Sequence, residues 1–210
     1  MKYYPVFWDV QDKKCVVVGG GEVALRKVER LLDCGAQVSI VSPKLLAELT
    51  SLKAENAIEH IAADYDIAYL AGAALIIGAT DDEKTNAAIS ADARSLGIPV
   101  NIVDDPQKCD FILPSIVERG DLTIAIGTGG KSPALARYLR EKIEDKYGIE
   151  YEILLNILGS LRAKMKESGK GKAWFESLLN AGILNLIREK KWPEVKKTVK
   201  EITGEEAVID

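Results

Sequence analysis

The stretch VVVGGGEVALRKVERLL, Val16 to Leu32, decides how the first half of this chain is read. An apolar run ends in three glycines, and a helical pattern follows at once, with Val23, Val28, Leu31 and Leu32 broadly on one face. Strand, glycine turn and helix in that order form a dinucleotide-binding turn, and G-x-G-x-x-A is met by Gly19, Gly21 and Ala24. Each position has a physical reason. Gly19 permits the tight turn, Gly21 lets a pyrophosphate approach the backbone, and Ala24 lets the helix pack closely on the strand. The helix start offers unbonded N–H groups and the positive end of a dipole to an anion. A merely structural turn is the competing reading of the same glycines.

One element of the fingerprint is absent. An Asp or Glu that binds the ribose hydroxyls of NAD belongs roughly 20 residues further on. There the second strand ends IVSPK, where Ser42 can share a hydrogen bond but is no carboxylate, and Lys44 suits a 2′-phosphate. Spacing alone leaves NAD and NADP open.

Working outward, strands are expected at 13–18, 36–42, 57–63, 73–80 and 98–103. Helices are expected from the glycine turn to near Gly35, over 44–52, and from a Thr80 or Asp81 cap to about Leu96. Alternating strands and helices imply a parallel sheet with right-handed crossovers, an α/β Rossmann-type doubly wound domain over residues 1–113. Thr80, at the end of its central strand, counts among the cofactor-contacting residues.

The pattern then changes. DFILPSIVERGDLTIAIGTGG reads as two strands turning at Arg119-Gly120-Asp121, and a helix runs from Pro133 to about Lys146 with Ser132 as its cap. A short hairpin is marginal in isolation. Residues 114–147 are therefore expected to form a dimerisation segment that packs on a second copy. Residues 148–210 read as a C-terminal helical domain, with Leu154, Ile157, Leu158, Leu161 and Met165 on one stripe. SGKGK at 168–172 is a break, Trp174 to Ile187 carries a second stripe, and Pro193 opens a mostly polar helix.

Composition bounds the function. With 47% apolar and 29% charged residues the chain reads as soluble and globular. No run approaches the roughly 18 apolar residues of a membrane span, and no secretory signal opens the chain. Three cysteines without CxxC spacing fit a reducing cytoplasm. A net charge of −4 argues against nucleic acid as a partner, though not against a small anion on a local basic patch. No cluster has metal-site spacing, and no Ser–His–Asp arrangement can be argued.

Two further stretches carry chemistry. In NIVDDPQKCDF, Asn101, Asp104 and Asp105 follow a strand at the carboxyl edge of the sheet. A carboxylate there can take a proton while hydride leaves the other way. The competing reading makes Asp104-Asp105-Pro106 a turn. In GTGGKSPALAR, Thr128, Gly129, Gly130, Lys131, Ser132 and Arg137 surround a helix start suited to anionic groups, or else form a well-capped helix with solvated arginines.

Together YPVFWDVQDKKCVVVGGGEVALRKVERLL, IIGATDD, NIVDDPQKCDFILPSIVERGDL and GTGGKSPALAR closely resemble the precorrin-2 dehydrogenase / sirohydrochlorin ferrochelatase family, of the siroheme-synthase N-terminal type. The resemblance covers residues 1 to about 145 in order and spacing. It implies NAD-dependent oxidation of precorrin-2 to sirohydrochlorin on the route to siroheme. In some members ferrous iron, as a substrate, is then inserted at the same site. It also implies Asp104 as acid/base for both steps with Asn101 beside it. Gly19, Gly21, Glu22 and Val23 would line the pyrophosphate loop, Pro43 and Lys44 the adenosine side, and the protein would be a homodimer. The rim carboxylates of such a tetrapyrrole call for arginines, lysines and helix starts. Where the family often carries Ser, this chain has Thr128. Ending at Asp210, it is expected to stand alone and to take its substrate from a separate methyltransferase. Two alternatives stay open. One is dehydrogenation without chelation. The other is a non-catalytic nucleotide-sensing module, which would have no need of DDPQKCDF or GTGGKSPALAR.

Overall fold

Five short, mostly apolar segments pair into one parallel sheet in the computed structural model, which describes residues 2–208. They are β1 (Lys14–Val18), β2 (Gln37–Val41), β3 (Ile58–Ile61), β4 (Leu75–Gly78) and β5 (Val100–Ile102), in the order β3-β2-β1-β4-β5. The central strands β1 and β4 are apolar on both faces because both faces are covered. Val17 joins the cluster under α1 (Glu22–Asp33), with Ala24, Val28 and Leu31, while Val16 and Val18 join the opposite cluster. There α3 (Glu83–Ser95) contributes Ile89 and Ala93. Val18 pairs with Val41 on one side and Gly78 on the other, so β1, β2 and β4 end level. Strand order reverses at β1, and the loops leaving these ends open a crevice at the carboxyl edge.

Two boundaries differ from expectation for reasons that matter to this crevice. The second helix, α2 (Ala47–Ala54), starts three residues later than 44 because the chain after β2 wraps the glycine loop. There the Leu46 N–H donates to the Gly20 carbonyl at 2.8 Å. The cap of α3 is Asp82 rather than Asp81 or Thr80, and its carboxylate accepts the Thr85 N–H at 2.8 Å. Thr80 instead donates its hydroxyl to the Asn86 side-chain oxygen at 2.9 Å. A 3₁₀ turn at Ile67–Leu70, capped by Asp66, connects β3 to β4 and buries Leu70.

The chain divides into two compact units at Leu113 and Pro114. In the second, β6 (Ser115–Arg119) and β7 (Leu122–Ile126) form an antiparallel hairpin, with Gly120 at φ 55° in the two-residue turn. Helix α4 (Pro133–Lys146) packs on it, and Ser132 caps α4 by accepting the Leu135 N–H at 3.2 Å. Four helices follow, α5 (Glu150–Ser168), α6 (Gly171–Asn180), α7 (Ile183–Arg188) and α8 (Trp192–Thr203). The stripe from Trp174 to Ile187 is split between two helices, since Gly182 at φ 72° turns the chain into α7. The last helix, mostly polar in composition, is amphipathic. It buries Val195, Val199 and Thr203, the first two against Ile157, Leu178 and Ile183.

Candidate functional site

A cleft of about 1000 Å³ opens at the carboxyl edge of the sheet in the first unit. It brings together eight of the residues expected there, Gly19, Gly21, Glu22, Val23, Ser42, Pro43, Lys44 and Thr80. The glycines explain its floor. Gly19 sits at φ 125°, and a Cβ there would overlap the Ala79 carbonyl oxygen. Gly20 has an ordinary φ, yet a Cβ would overlap the Lys44 carbonyl oxygen. Gly21 differs from both, since a Cβ there meets nothing within 4 Å and would project into open space. Its bareness serves whatever enters the cleft. Gly21 caps α1 with no side chain, and the first helical bond runs from Leu25 N–H to its carbonyl at 2.9 Å. The N–H groups of Glu22, Val23 and Ala24 are thus without helical acceptors, the arrangement that binds phosphate. The cradle fits a dinucleotide pyrophosphate.

Ala24 does not line the cleft; it is fully buried behind the loop, where its small side chain lets α1 approach β1. The Ser42 hydroxyl donates to the Lys44 carbonyl at 2.7 Å, and His60 Nε2 lies 2.9 Å from the Ser42 carbonyl. The lone histidine therefore supports the loop after β2. Several lining residues escaped the sequence reading, among them Gly20, Asp64, Tyr65, Asp81 and Lys84. Gly20 was legible as the middle of three glycines. Asp64 and Tyr65 were not, because only the parallel pairing of β3 with β2 carries their loop to this edge. Tyr65 donates its hydroxyl to Asp92 at 2.9 Å, and burial followed by that bond pushes its phenol well above the usual range.

Asn101, in β5, and Asp104, just beyond it, stand outside the lining of this cleft. Asp104 occupies the left-handed region at φ 61°, a conformation Asp tolerates better than most residues. It is exposed and makes no hydrogen bond or ion pair among the described residues. Its neighbour does the turn chemistry. Asp105 accepts the Gln107 N–H at 3.2 Å and pairs with Lys108 at 2.7 Å, and Lys108 holds the Asp105 carboxyl below its usual range. The Cys109 thiol closes the loop, 3.1 Å from the carbonyls of both Ile102 and Asp105, and it accepts the Ile102 N–H at 3.2 Å. Buried Asn101 donates to the Phe111 carbonyl at 2.9 Å. The loop is thus tied on both sides of one free carboxylate. On α1, the half-buried Lys27 ammonium is lowered by burial and by Arg26, while Asp104 acts in the opposite sense.

In the second unit, Thr128 closes the loop before α4. Its hydroxyl lies 3.1 Å from the Ser132 carbonyl and accepts the Ser132 N–H at 3.4 Å. Gly129 and Gly130 both take positive φ, and Lys131 donates its N–H to the Thr128 carbonyl at 3.2 Å. Arg137 is exposed and pairs with Glu141 on its own helix at 3.0 Å.

Comparison with known proteins agrees with this geometry. Residues 6–115 match the model of an NAD(P)-binding family, which covers more than half of the chain. The chain belongs to that NAD(P)-binding family. Residues 119–146 match a second model, that of the central part of a sirohaem biosynthesis protein. Siroheme synthase 1 of Aeromonas salmonicida is 42% identical over 86% of this chain and 40% of its own length. Siroheme synthase of Thioalkalivibrio sulfidiphilus is 39% identical over 95% of this chain and 42% of its own length. The chain spans only about two fifths of the length of these relatives. The solved structure of SirC, a precorrin-2 dehydrogenase, shares the fold, with a TM-score of 0.76 at 21% identity over 97% of this chain and all of that one. Among the described residues, no helix is long and apolar enough to cross a membrane.

Proposed function

We propose that this protein oxidises precorrin-2 to sirohydrochlorin with NAD. The observation that carries the reading is one sheet edge offering both a bare glycine cradle and, past β5, a free carboxylate on a tied loop. The relatives' names supply the substrate class. When bound, NAD accepts the hydride. Gly19 and Gly20 shape the loop, Gly21 leaves room for the phosphates, and the first N–H groups of α1 bind them. Pro43 and Lys44 flank the adenosine side. Loss of hydride from a ring-linking carbon makes the neighbouring C–H or N–H acidic, and Asp104 takes that proton. Asn101 keeps the chain before Asp104 in place through Phe111. In the second unit, the side chains of Lys131 and Arg137 suit anionic groups such as the rim carboxylates of a tetrapyrrole.

The same carboxylate suits a second step, in which ferrous iron is a substrate and the pyrrole N–H protons must leave as it enters. The hairpin's Ile116, Ile124 and Ile126 are only half-buried, and Leu135 and Tyr138 of α4 are exposed, which supports pairing with a second copy. A monomeric mass by light scattering at micromolar concentration would count against it. Three unpaired cysteines suit a reducing compartment, the cytoplasm.

The deciding experiment is anaerobic turnover of precorrin-2 with NAD and NADP side by side, on the wild type and on Asp104→Ala. Sirohydrochlorin forms with the wild type, while the variant binds NADH normally but turns over at least about a hundredfold more slowly. Wild-type rates in the variant remove Asp104 from the chemistry. Binding of NADH without any turnover by the wild type favours a sensing module. Absorption changes of sirohydrochlorin with Fe²⁺ or Co²⁺ test the chelation step.

A further inference from the structure

No ribose-binding acid follows β2, but the sheet order brings a carboxylate from another strand to the same side of the cleft. Strand ends meet the cleft in the order β3, β2, β1, β4, and the lining residues follow it: Asp64 after β3, Lys44 after β2, the glycine loop after β1, Asp81 after β4. In such a fold the pyrophosphate lies over the β1 turn and the adenosine lies on the β2 side. Of the three carboxylates that line the cleft, Glu22 belongs to the pyrophosphate loop and Asp81 to the opposite side. Asp64 alone stands on the adenosine side.

Its neighbours are engaged and it is not. Tyr65 is bonded to Asp92, and Asp66 caps the 3₁₀ turn by accepting the Ala68 N–H at 2.8 Å. Asp64 is exposed to the cleft mouth and makes no hydrogen bond or ion pair among the described residues. Its backbone is held. Ser42 N–H and Ala63 N–H both donate to the Ile61 carbonyl, at 3.1 and 2.9 Å, which fixes the exit of β3 against that of β2. Lys44, also exposed and not within ion-pair distance of Asp64, contributes the opposite charge on the same side.

We infer that Asp64 is the residue that sets cofactor choice at this site: its carboxylate accepts hydrogen bonds from the polar groups of an unphosphorylated adenosine and repels a 2′-phosphate that Lys44 would otherwise attract. The inference rests on the dinucleotide reading above and goes beyond it, since neither the glycine loop nor the segment after β2 distinguishes the two cofactors. Replacing the charge alone separates the two roles. In Asp64→Asn the shape and one acceptor oxygen stay, while the charge and its repulsion go.

Calorimetric titration of the full chain with NADH and with NADPH tests this without reliance on turnover. The wild type binds NADH at least tenfold more tightly. In Asp64→Asn the ratio of the two dissociation constants falls roughly tenfold, chiefly because NADPH binds better, and adding Lys44→Ala reverses that gain. An unchanged ratio in Asp64→Asn overturns the inference, as does an equal loss for both cofactors or a wild type that prefers NADPH. A wild type that binds neither cofactor defeats the dinucleotide reading itself, a result distinct from the other three. Because Asp64 is exposed, the variant is expected to fold, and an unchanged melting temperature without ligand confirms that the comparison is fair.

Discussion

Adding one methyl group to the glycine loop separates ligand binding from folding. At Gly21 the backbone is extended, with φ −97° and ψ −169°, and a Cβ meets no atom within 4 Å. Gly21→Ala loses a modestly better N-cap, a cost of about 0.5–1 kcal/mol. The stiffer unfolded chain returns about 0.4–1 kcal/mol. The two nearly cancel, so the melting temperature without ligand moves by less than about 4 °C for a chain of this size. The new methyl nevertheless stands where the phosphates must approach, and NADH affinity drops at least tenfold, or about 1.4 kcal/mol. Gly19→Ala behaves in the opposite way. A side chain at φ 125° that overlaps the Ala79 carbonyl costs about 3 kcal/mol or more and lowers the melting temperature before any ligand is added. Differential scanning calorimetry and NADH titration on both variants give the comparison. Wild-type NADH affinity in Gly21→Ala would falsify the cradle, and equal thermal loss in the two variants would refute the packing argument.

Other consequences can be measured directly. Cys109→Ala removes the thiol that ties Ile102 to Asp105, so turnover falls more than stability, while Cys109→Ser restores part of the rate; wild-type turnover in the alanine variant means the loop holds Asp104 without it. Iodoacetamide at pH 8 modifies exposed Cys34 first, because burial lifts the Cys15 thiol to about 11 and also raises Cys109; mass spectrometry showing equal labelling of all three counts against this. Glu150 is buried and accepts Arg188 at 2.6 Å, and although burial opposes it, the pair holds the carboxyl below its usual range. A depressed folded pKa gives stability that is full above the ordinary glutamate value of about 4.3 and is lost as pH falls through the folded value. Arg188→Ala therefore lowers the melting temperature at pH 7 and has much less effect at pH 3. An equal decrement at both values would refute the pairing argument.

The Rossmann-type first unit, the glycine turn and the hairpin followed by a capped helix are all legible in the chain read alone. Those features are local. A buried parallel strand needs an apolar run, a tight turn under a phosphate needs glycine, and a helix start needs Ser132 with Pro133, so each is written in a few consecutive residues. Helix boundaries were less legible where tertiary contacts override propensity. The start of α2 is delayed because the chain after β2 bonds to Gly20, and the Trp174 stripe divides at Gly182 to close the helical core. Which residues share the cleft follows from the order of the strands in the sheet. Asp64 is 43 positions beyond Gly21 and within no recognisable motif, yet strand order sets it in the same cleft, on the β2 side of the glycine loop. The tertiary structure also divided labour between two adjacent aspartates. A turn and a free carboxylate read identically in DDP, and only the hydrogen bonds of Asp105, Lys108 and Cys109 show that Asp104 is the one left unbonded. Spacing along a chain fixes what neighbours can do for each other, whereas a binding site is assembled from strand ends that the sheet alone brings side by side.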